Sequence, residues 1–539
     1  MKRTLALALA LMLVLGSSAA LAAPSSQIVG EATVRKQDYG ANLTQLPLTE
    51  EPVTIVVWKG SPNSVVMESH DQCIAYEELE KRTGVHIEWV VPPLNSEADN
   101  FNLRVASLDL PHMFVEVYDR YAGGLAKAVE DEIYLALNPY YDAGLTPNYR
   151  YLRETYPDIA QDTVLDSGEL AAFWQFDYVG SSPWSGFWVR QDWLDEQSLP
   201  LPVTVDDWTN TLRVFKDKYD ATLGIQIGDL GKGGGDAADN HTVFSAYDVA
   251  YRWYQVDGQI KFGPVEPGFK QAVELLRSWY AEGLIDPNYG TYDWNAYTAK
   301  TSDAVSYGLY GSNYGEIGQM KRTSTAIDPD WKIVPINGPI SYEGQQLKLR
   351  QTDFITRSQY DAITTRAKDE GIDELVMQWK DYWYSQDGGD LFSYGVEGVS
   401  YEWDENNEIV WLYDQNFDTQ DGALDFWTLY PLFKIHNGGY LRDSAAYIMD
   451  DLVWDCINEW AKIPSEWFMP MVSLTAQESA DYAALYTPIN SYTTEQMGLY
   501  ISGQQSMDSW DSYVETLWDM GVQDMIDIQQ DALDRYNAR

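Results

Sequence analysis

The chain has 539 residues, 45% of them hydrophobic, and a formal net charge of −46. That length suits two or three domains, and that apolar fraction excludes global disorder. The charge excludes nucleic acid and anionic membranes as expected partners, because both need a basic patch, and leaves a solvated acidic exterior as the ordinary reading.

Lys2-Arg3, an apolar run over residues 5–15 and Ala20-Leu21-Ala22 read as a secretory signal peptide over 1–22, cleaved near Ala22. No later apolar run approaches about 18 residues, so the mature chain is not expected to span a membrane. Ala23-Pro24-Ser25 stands where a lipid-anchored protein would carry a cysteine, so release outside the cell is expected. Residues 23–50 read as a flexible lead-in.

Residues 53–58, VTIVVW, form a buried strand. A helix over 71–82 follows, stopped by Gly84. Val85, Ile87, Trp89 and Val91 alternate as a second strand. A helix over 97–107 ends at Leu110-Pro111, and residues 113–117 form a third strand. This β-α-β-α-β order implies a parallel sheet with right-handed crossovers. Ligands of such sheets bind beyond the carboxyl ends of the strands. Two loops become site candidates on that ground: the one beginning at Trp58, and Tyr118-Asp119-Arg120-Tyr121. Gly123-Gly124 opens another helix, residues 148–156 are helical, and a crossing to a second lobe is expected at about 170–182.

Residues 182–208 then carry the most informative pattern. Phe187-Trp188-Val189 is strand-like, and Asp192 is placed to cap a short helix over 193–196. Leu199-Pro200-Leu201-Pro202 ends that helix. Thr204 caps the next one, with Asp207 three residues on, and Trp208, Leu212 and Phe215 at helical spacing. W-V-R-Q-D-W-L-D followed by L-P-x-P-x-T-x-D-D-W resembles the family 1 extracellular solute-binding proteins of bacterial ABC importers. It is closest to the large oligosaccharide- or aldouronate-type members of Gram-positive bacteria. E-G-L-I-D-P at 282–287, after a helix opened by Pro267, and Y-G-V-E-G-V-S-Y-E-W-D at 394–404 carry the same likeness.

The resemblance spans about 53 to 536. It implies an α/β, two-lobed, periplasmic-binding-protein-like (type II) fold with the ligand cleft between the lobes. The implied partners are an oligosaccharide ligand and the permease subunits of an ABC transporter; the chain is expected to be a monomer without cofactor. Many members of that family are lipoproteins, so the missing cysteine is a departure.

The remaining chain fills in the division. Lobe one is expected over 51–170 and again over 333–400, and lobe two over 171–332 with a helical part over 401–539. A strand lies at 332–335, a helix at 370–384, and a hairpin pairs 401–403 with 409–411 across a polar turn. Trp510, Tyr513, Leu517 and Met520 mark a C-terminal helix.

A sugar site needs aromatic platforms for ring faces and planar polar side chains for hydroxyl pairs. The chain has 21 Trp and 38 Tyr, most of which must serve packing. The residues in suitable loops or element ends are Trp58, Asp119, Arg120, Trp184, Tyr310, Asn313, Tyr314, Glu316, Tyr394 and Glu397. Trp188 and Trp193 read as core. Lys59, Arg120 and Arg190 are the cations able to meet a ligand carboxylate, should the sugar be a uronate.

Asp414, Asn416, Asp418 and Asp425 have the spacing of a calcium loop, without its turn glycine and final glutamate; a solvated acidic loop is the plainer reading. Cys73 and Cys456 are expected as two separate buried thiols. No hydrolase motif such as G-x-S-x-G or H-E-x-x-H occurs, so an enzyme is not expected. A secreted carbohydrate-active hydrolase and a non-transport polysaccharide-binding surface protein are the alternatives.

Overall fold

The computed structural model describes residues 42–62, 69–117, 120–176, 183, 185–225, 243–292, 294–313, 317–350, 356–406, 409–412 and 451–539. Val53–Trp58 (β1) and Val85–Val90 (β2) run parallel, Val53 opposite Val85 and Trp58 opposite Val90. Between them the helix Ile74–Thr83 buries Ala75, Tyr76 and Leu79 and ends on Gly84 at φ 76. A Cβ at Gly84 would meet the Thr49 carbonyl oxygen at 2.5 Å, so conformation and space both demand glycine there. After the helix Glu97–Ser107, Met113–Phe114 (β3) pairs parallel with β1 on its other edge. The third strand is shorter than expected, because the backbone leaves the extended region at Glu116, φ 55.

Phe173–Phe176 (β4) still belongs to this first sheet, so the chain leaves it after Phe176. Ser185–Arg190 (β5), Thr222–Gly224 (β6), the hairpin of Trp253–Val256 (β7) with Gln259–Phe262 (β8), Tyr307–Asn313 (β9) and Ile333–Ile336 (β10) follow. The second sheet has the order β10-β5-β9-β6. In it β5 is antiparallel to both neighbours and β6 is parallel to β9.

The chain returns to the first sheet only at Thr356–Ile363 (β11), antiparallel between β3 and β4. This is later than the return expected at 333, because β10 is held in register by β5 and Leu349 is buried in the second core. The first sheet therefore has the order β2-β1-β3-β11-β4.

Each sheet has its own core. Ile55, Val57, Phe101 and Phe114 pack beneath the first, and Phe187, Trp208, Phe215 and Trp279 beneath the second. Thr204 and Asp207 form the expected capping box on the helix Val205–Tyr219. Asp192 does not cap: the helix starts at Gln191, and the Asp192 carboxylate pairs with Arg190 at 2.5 Å instead. The expected hairpin forms in register, Tyr401 opposite Trp411. Cys73 and Cys456 are free and buried in different clusters.

The helices Asp451–Trp460, Ala476–Ile501, Trp510–Asp519 and Val522–Ala538 complete the second lobe. Met497, Tyr500, Tyr513, Leu517 and Met525 enter its core. Gly186 in β5 leaves room for the Trp460 indole, which a Cβ there would meet at 2.3 Å.

The end of the lead-in is pinned rather than loose. Leu43 N–H donates to Asn148 Oδ1 at 3.1 Å, and Leu48 N–H to Thr83 O at 2.9 Å. Among the described residues no helix is long and apolar enough to cross a membrane.

Candidate functional site

The carboxyl ends of β1 and β3 lie side by side, so the residues that leave them meet. Lys59 follows β1 and Glu116 lies just beyond β3; Lys59 Nζ is 2.5 Å from Glu116 Oε1. The Glu116 backbone N–H donates to Asp361 Oδ1 at 2.8 Å. Asp361, on β11, pairs in turn with Lys380 at 2.5 Å, and both are fully buried. The Lys380 ammonium lies 3.8 Å from the Trp383 ring centroid.

Two cations and two anions thus form a charge-balanced floor under the loops of lobe one. Burial pushes the Glu116 carboxyl up, and Lys59 pulls against it. Burial pushes Lys380 down, and Asp361 opposes it. His70 sits beside this floor, its Nε2–H donating to Gly60 O at 2.7 Å. Burial, with Lys59 adding to it, brings its pKa down to about 3.

The Arg120 N–H donates to Val117 O, so one turn joins the floor to a cavity of about 430 Å³. Arg120, Tyr121, Gly123 and Trp174 line it from lobe one, and Met471, Ser473 and Gln529 line it from the C-terminal part of the chain. A volume of that size lies within the range of small-molecule sites, about 300–1,000 Å³.

Beside the cavity the C-terminal helix reaches across to lobe one. Arg535 bridges Asp166 and Glu478, Arg539 binds Asp166 at 2.6 Å, and the Tyr536 hydroxyl donates to Asp162 at 2.6 Å.

The structure sorts the expected site residues. Arg120 reaches the cavity. Asn313 is half-buried at the end of β9, and Glu397 is exposed in the turn after Tyr394. Trp58, Tyr310 and Tyr394 offer no open ring face. Trp58 is 1% exposed, packs edge-on against Phe101 and Phe114 and donates its indole N–H to Asn100. Tyr310 is buried beside Tyr307, and Tyr394 is enclosed by Tyr401 and Trp403. In all three, core packing has consumed the surface that a sugar ring would need.

Trp188 and Trp193 are core, as expected. Arg190 is fully buried with Asp192, Asp328 and the Ala304 carbonyl, which leaves it no reach to a ligand. Asp119, Trp184, Tyr314, Glu316 and the calcium candidates Asp414, Asn416, Asp418 and Asp425 lie outside the described residues. Among the described residues no group of three or more His, Cys, Asp or Glu is placed to hold a metal ion.

Glu116 of the floor and the cavity-lining Trp174 and residues 471–474 are not among the residues expected from the sequence. Glu116 was within reach, at the end of a strand already read as pointing toward a site.

No family model matches the chain. It is 24% identical over 547 residues to the fructooligosaccharide ABC transporter substrate-binding protein FusA of Streptococcus pneumoniae serotype 4, with 94% of each chain covered. It is 26% identical over 353 residues to the lipoprotein LipO of Bacillus subtilis, covering 62% of this chain and 64% of that one. The solved structure of S. pneumoniae FusA in complex with kestose matches at a TM-score of 0.71 and 21% identity, over 90% of this chain and 99% of that chain. FusA is an ABC transporter substrate-binding protein, and this chain shares its two-lobed α/β fold.

Proposed function

We propose that this chain is a solute-binding protein that captures a carbohydrate, an oligosaccharide, and delivers it to an ABC importer. The observation that carries the reading is the cavity between lobe one and the C-terminal part of lobe two. Arg120 and Trp174 line it from lobe one and Ser473 and Gln529 from the C-terminal part. A ligand there touches both lobes at once, so its binding energy favours the closed form over the open one. An ABC permease can then read closure as occupancy. Arg120 supplies a planar donor at the cavity, one of the side-chain types that sugar recognition uses.

Export by the leader at 1–22 and docking on permease subunits belong to the same proposal. A hydrolase reading has less support, since FusA, which the chain resembles over 94% of its length, is by name a substrate-binding protein.

The test is a thermal-shift screen of residues 24–539 against neutral and uronic oligosaccharides and peptides. A ligand at a hundred times its Kd adds about 2.7 kcal/mol of stability and raises the melting temperature visibly. A rise with one oligosaccharide class, and no cleavage products on chromatography, is the expected result. A rise with peptides alone, or glycan turnover, would overturn the reading.

A further inference from the structure

We infer that Asp166, Arg535 and Arg539 form a strap that holds the two parts of the cavity lining in the arrangement the ligand needs. They are positioning residues for binding, although none of the three lines the cavity. The inference rests on the solute-binding reading above and adds to it residues that set affinity without touching the ligand.

The lining comes from segments distant in sequence. Asp162 and Leu165 belong to lobe one, Ser473 and Ser479 to the C-terminal part. The last turn of Val522–Ala538 and the residue after it bond to both. The Tyr536 hydroxyl donates to Asp162 Oδ1 at 2.6 Å, and Gln161 Nε2 donates to the Tyr536 carbonyl at 2.8 Å. Arg539 donates from Nη2 to Ser473 Oγ at 2.5 Å and from Nη1 to Gln161 O at 2.9 Å. Arg535 grips both carboxylate oxygens of Glu478, at 2.9 and 2.6 Å. Glu478 in turn closes the capping box of Ala476–Ile501, the helix whose first turn carries Ser479.

Asp166 ties these bonds together. Arg535 Nε donates to its Oδ2, and Arg539 Nη2 to its Oδ1 at 2.6 Å. The two arginines stand four residues apart, one helical turn, where like charges repel. The carboxylate of lobe one between them removes that repulsion. Without it the two cations face each other, and the C-terminal segment loses its main attachment to 161–166. Ordering the lining of a site costs free energy that the ligand must otherwise supply on binding. The strap meets part of that cost in advance. A ligand that touches both parts and a strap that ties both favour the same arrangement, so each strengthens the other.

The experiment is calorimetric titration of residues 24–539, as wild type, Asp166→Asn and Tyr536→Phe, in about 0.05 M and about 0.5 M salt. The probes are kestose, raffinose, xylotriose, mannotriose and trigalacturonate, and the one that wild type binds most tightly carries the comparison. Tyr536→Phe keeps the ring beside Arg539 and loses only the hydroxyl that Asp162 accepts, so it serves where Asp166→Asn does not fold. In low salt Asp166→Asn should bind about tenfold more weakly than wild type and Tyr536→Phe about threefold. In high salt the Asp166→Asn ratio should shrink to about threefold, because screening already weakens the strap of the wild type. A residue that served stability alone would leave the affinity of the folded protein, and its salt dependence, unmoved.

Low-salt affinity within about twofold of wild type in folded Asp166→Asn, or in Tyr536→Phe where that variant does not fold, overturns the inference and leaves the solute-binding reading standing. An Asp166→Asn loss that does not shrink in high salt overturns it as well, because the ion pairs would then not be its cause. Binding of none of the sugars by wild type overturns the solute-binding reading, and this inference with it.

Discussion

In the floor of lobe one, Lys380 and Asp361 have no solvent contact at all, whereas at the tip of the C-terminal helix Arg535 keeps 31% of its side chain exposed beside Asp166. Both networks pair basic with acidic side chains at hydrogen-bonding distance. Burial makes them physically different. A charge taken out of water loses its hydration and depends on its partner for all of the compensation, while a charge at the rim falls back on solvent when the pair opens. The floor is therefore a permanent part of lobe one. The rim contacts join the C-terminal helix to lobe one beside the cavity, where water can replace them.

The sharpest way to break this contrast is Lys380→Met. It strands Asp361 without a cation, and stability should fall by about 3–5 kcal/mol in urea unfolding. Adding Asp361→Asn keeps an acceptor for the Glu116 N–H and should restore a large part of the loss. A single variant that costs less than the double one would show that the floor is hydrated after all.

His70 gives the next effect. Its folded pKa of about 3 lies below the ordinary value of 6.5, so below pH 6.5 the unfolded chain binds a proton that the folded one refuses. The contribution of neutral His70 is complete above pH 6.5 and is lost as pH falls toward 3, by about 1.4 kcal/mol per pH unit. At pH 5 the wild type should have lost about 2 kcal/mol that His70→Gln does not lose, as read by urea unfolding across pH.

The rim should respond less. Arg535→Gln removes contacts to Asp166 and Glu478 and should lower stability by about 1 kcal/mol, less in high salt, because the pair is partly hydrated and screened. A loss that is unchanged in 1 M salt would place it with the floor. Thr204→Ala, a helix cap belonging to neither network, should cost about 1 kcal/mol with no salt or pH dependence and calibrates the scale.

The sequence carried the local architecture well. The run from Val53 to Val117 spelled out its strands, helices and Gly84 stop because periodicity and capping act over a few residues. The Thr204–Asp207 box and the 401–411 hairpin were legible for the same reason. β11 was not: T-R-S-Q-Y-D-A-I lacks the apolar run of a central strand, yet it is one, with Asp361 buried against Lys380. The helix Ala476–Ile501 falls in the part expected to be helical, but its bounds were not legible, because its apolar residues do not gather into one stripe.

The site was less legible than the fold. Loop logic chose Arg120, which lines the cavity, together with Trp58, Tyr310 and Tyr394, which do not, since a tryptophan or tyrosine at an element end looks the same in sequence whether its ring faces a cleft or a core. Glu116 was passed over because a strand-end glutamate carries no local mark of its partners.

By itself the sequence determined the order of most elements and their caps, set by interactions between near neighbours along the chain, while the two-lobed α/β class was implied by the family resemblance. Only the tertiary structure decided which aromatic rings are spent on packing, where the chain passes between lobes, and which charges meet. Lys59 finds Glu116 at a separation of 57 residues, Glu116 finds Asp361 at 245, and Arg535 finds Asp166 at 369. Pairings over such distances depend on how the sheets and helices pack, and no local pattern records them.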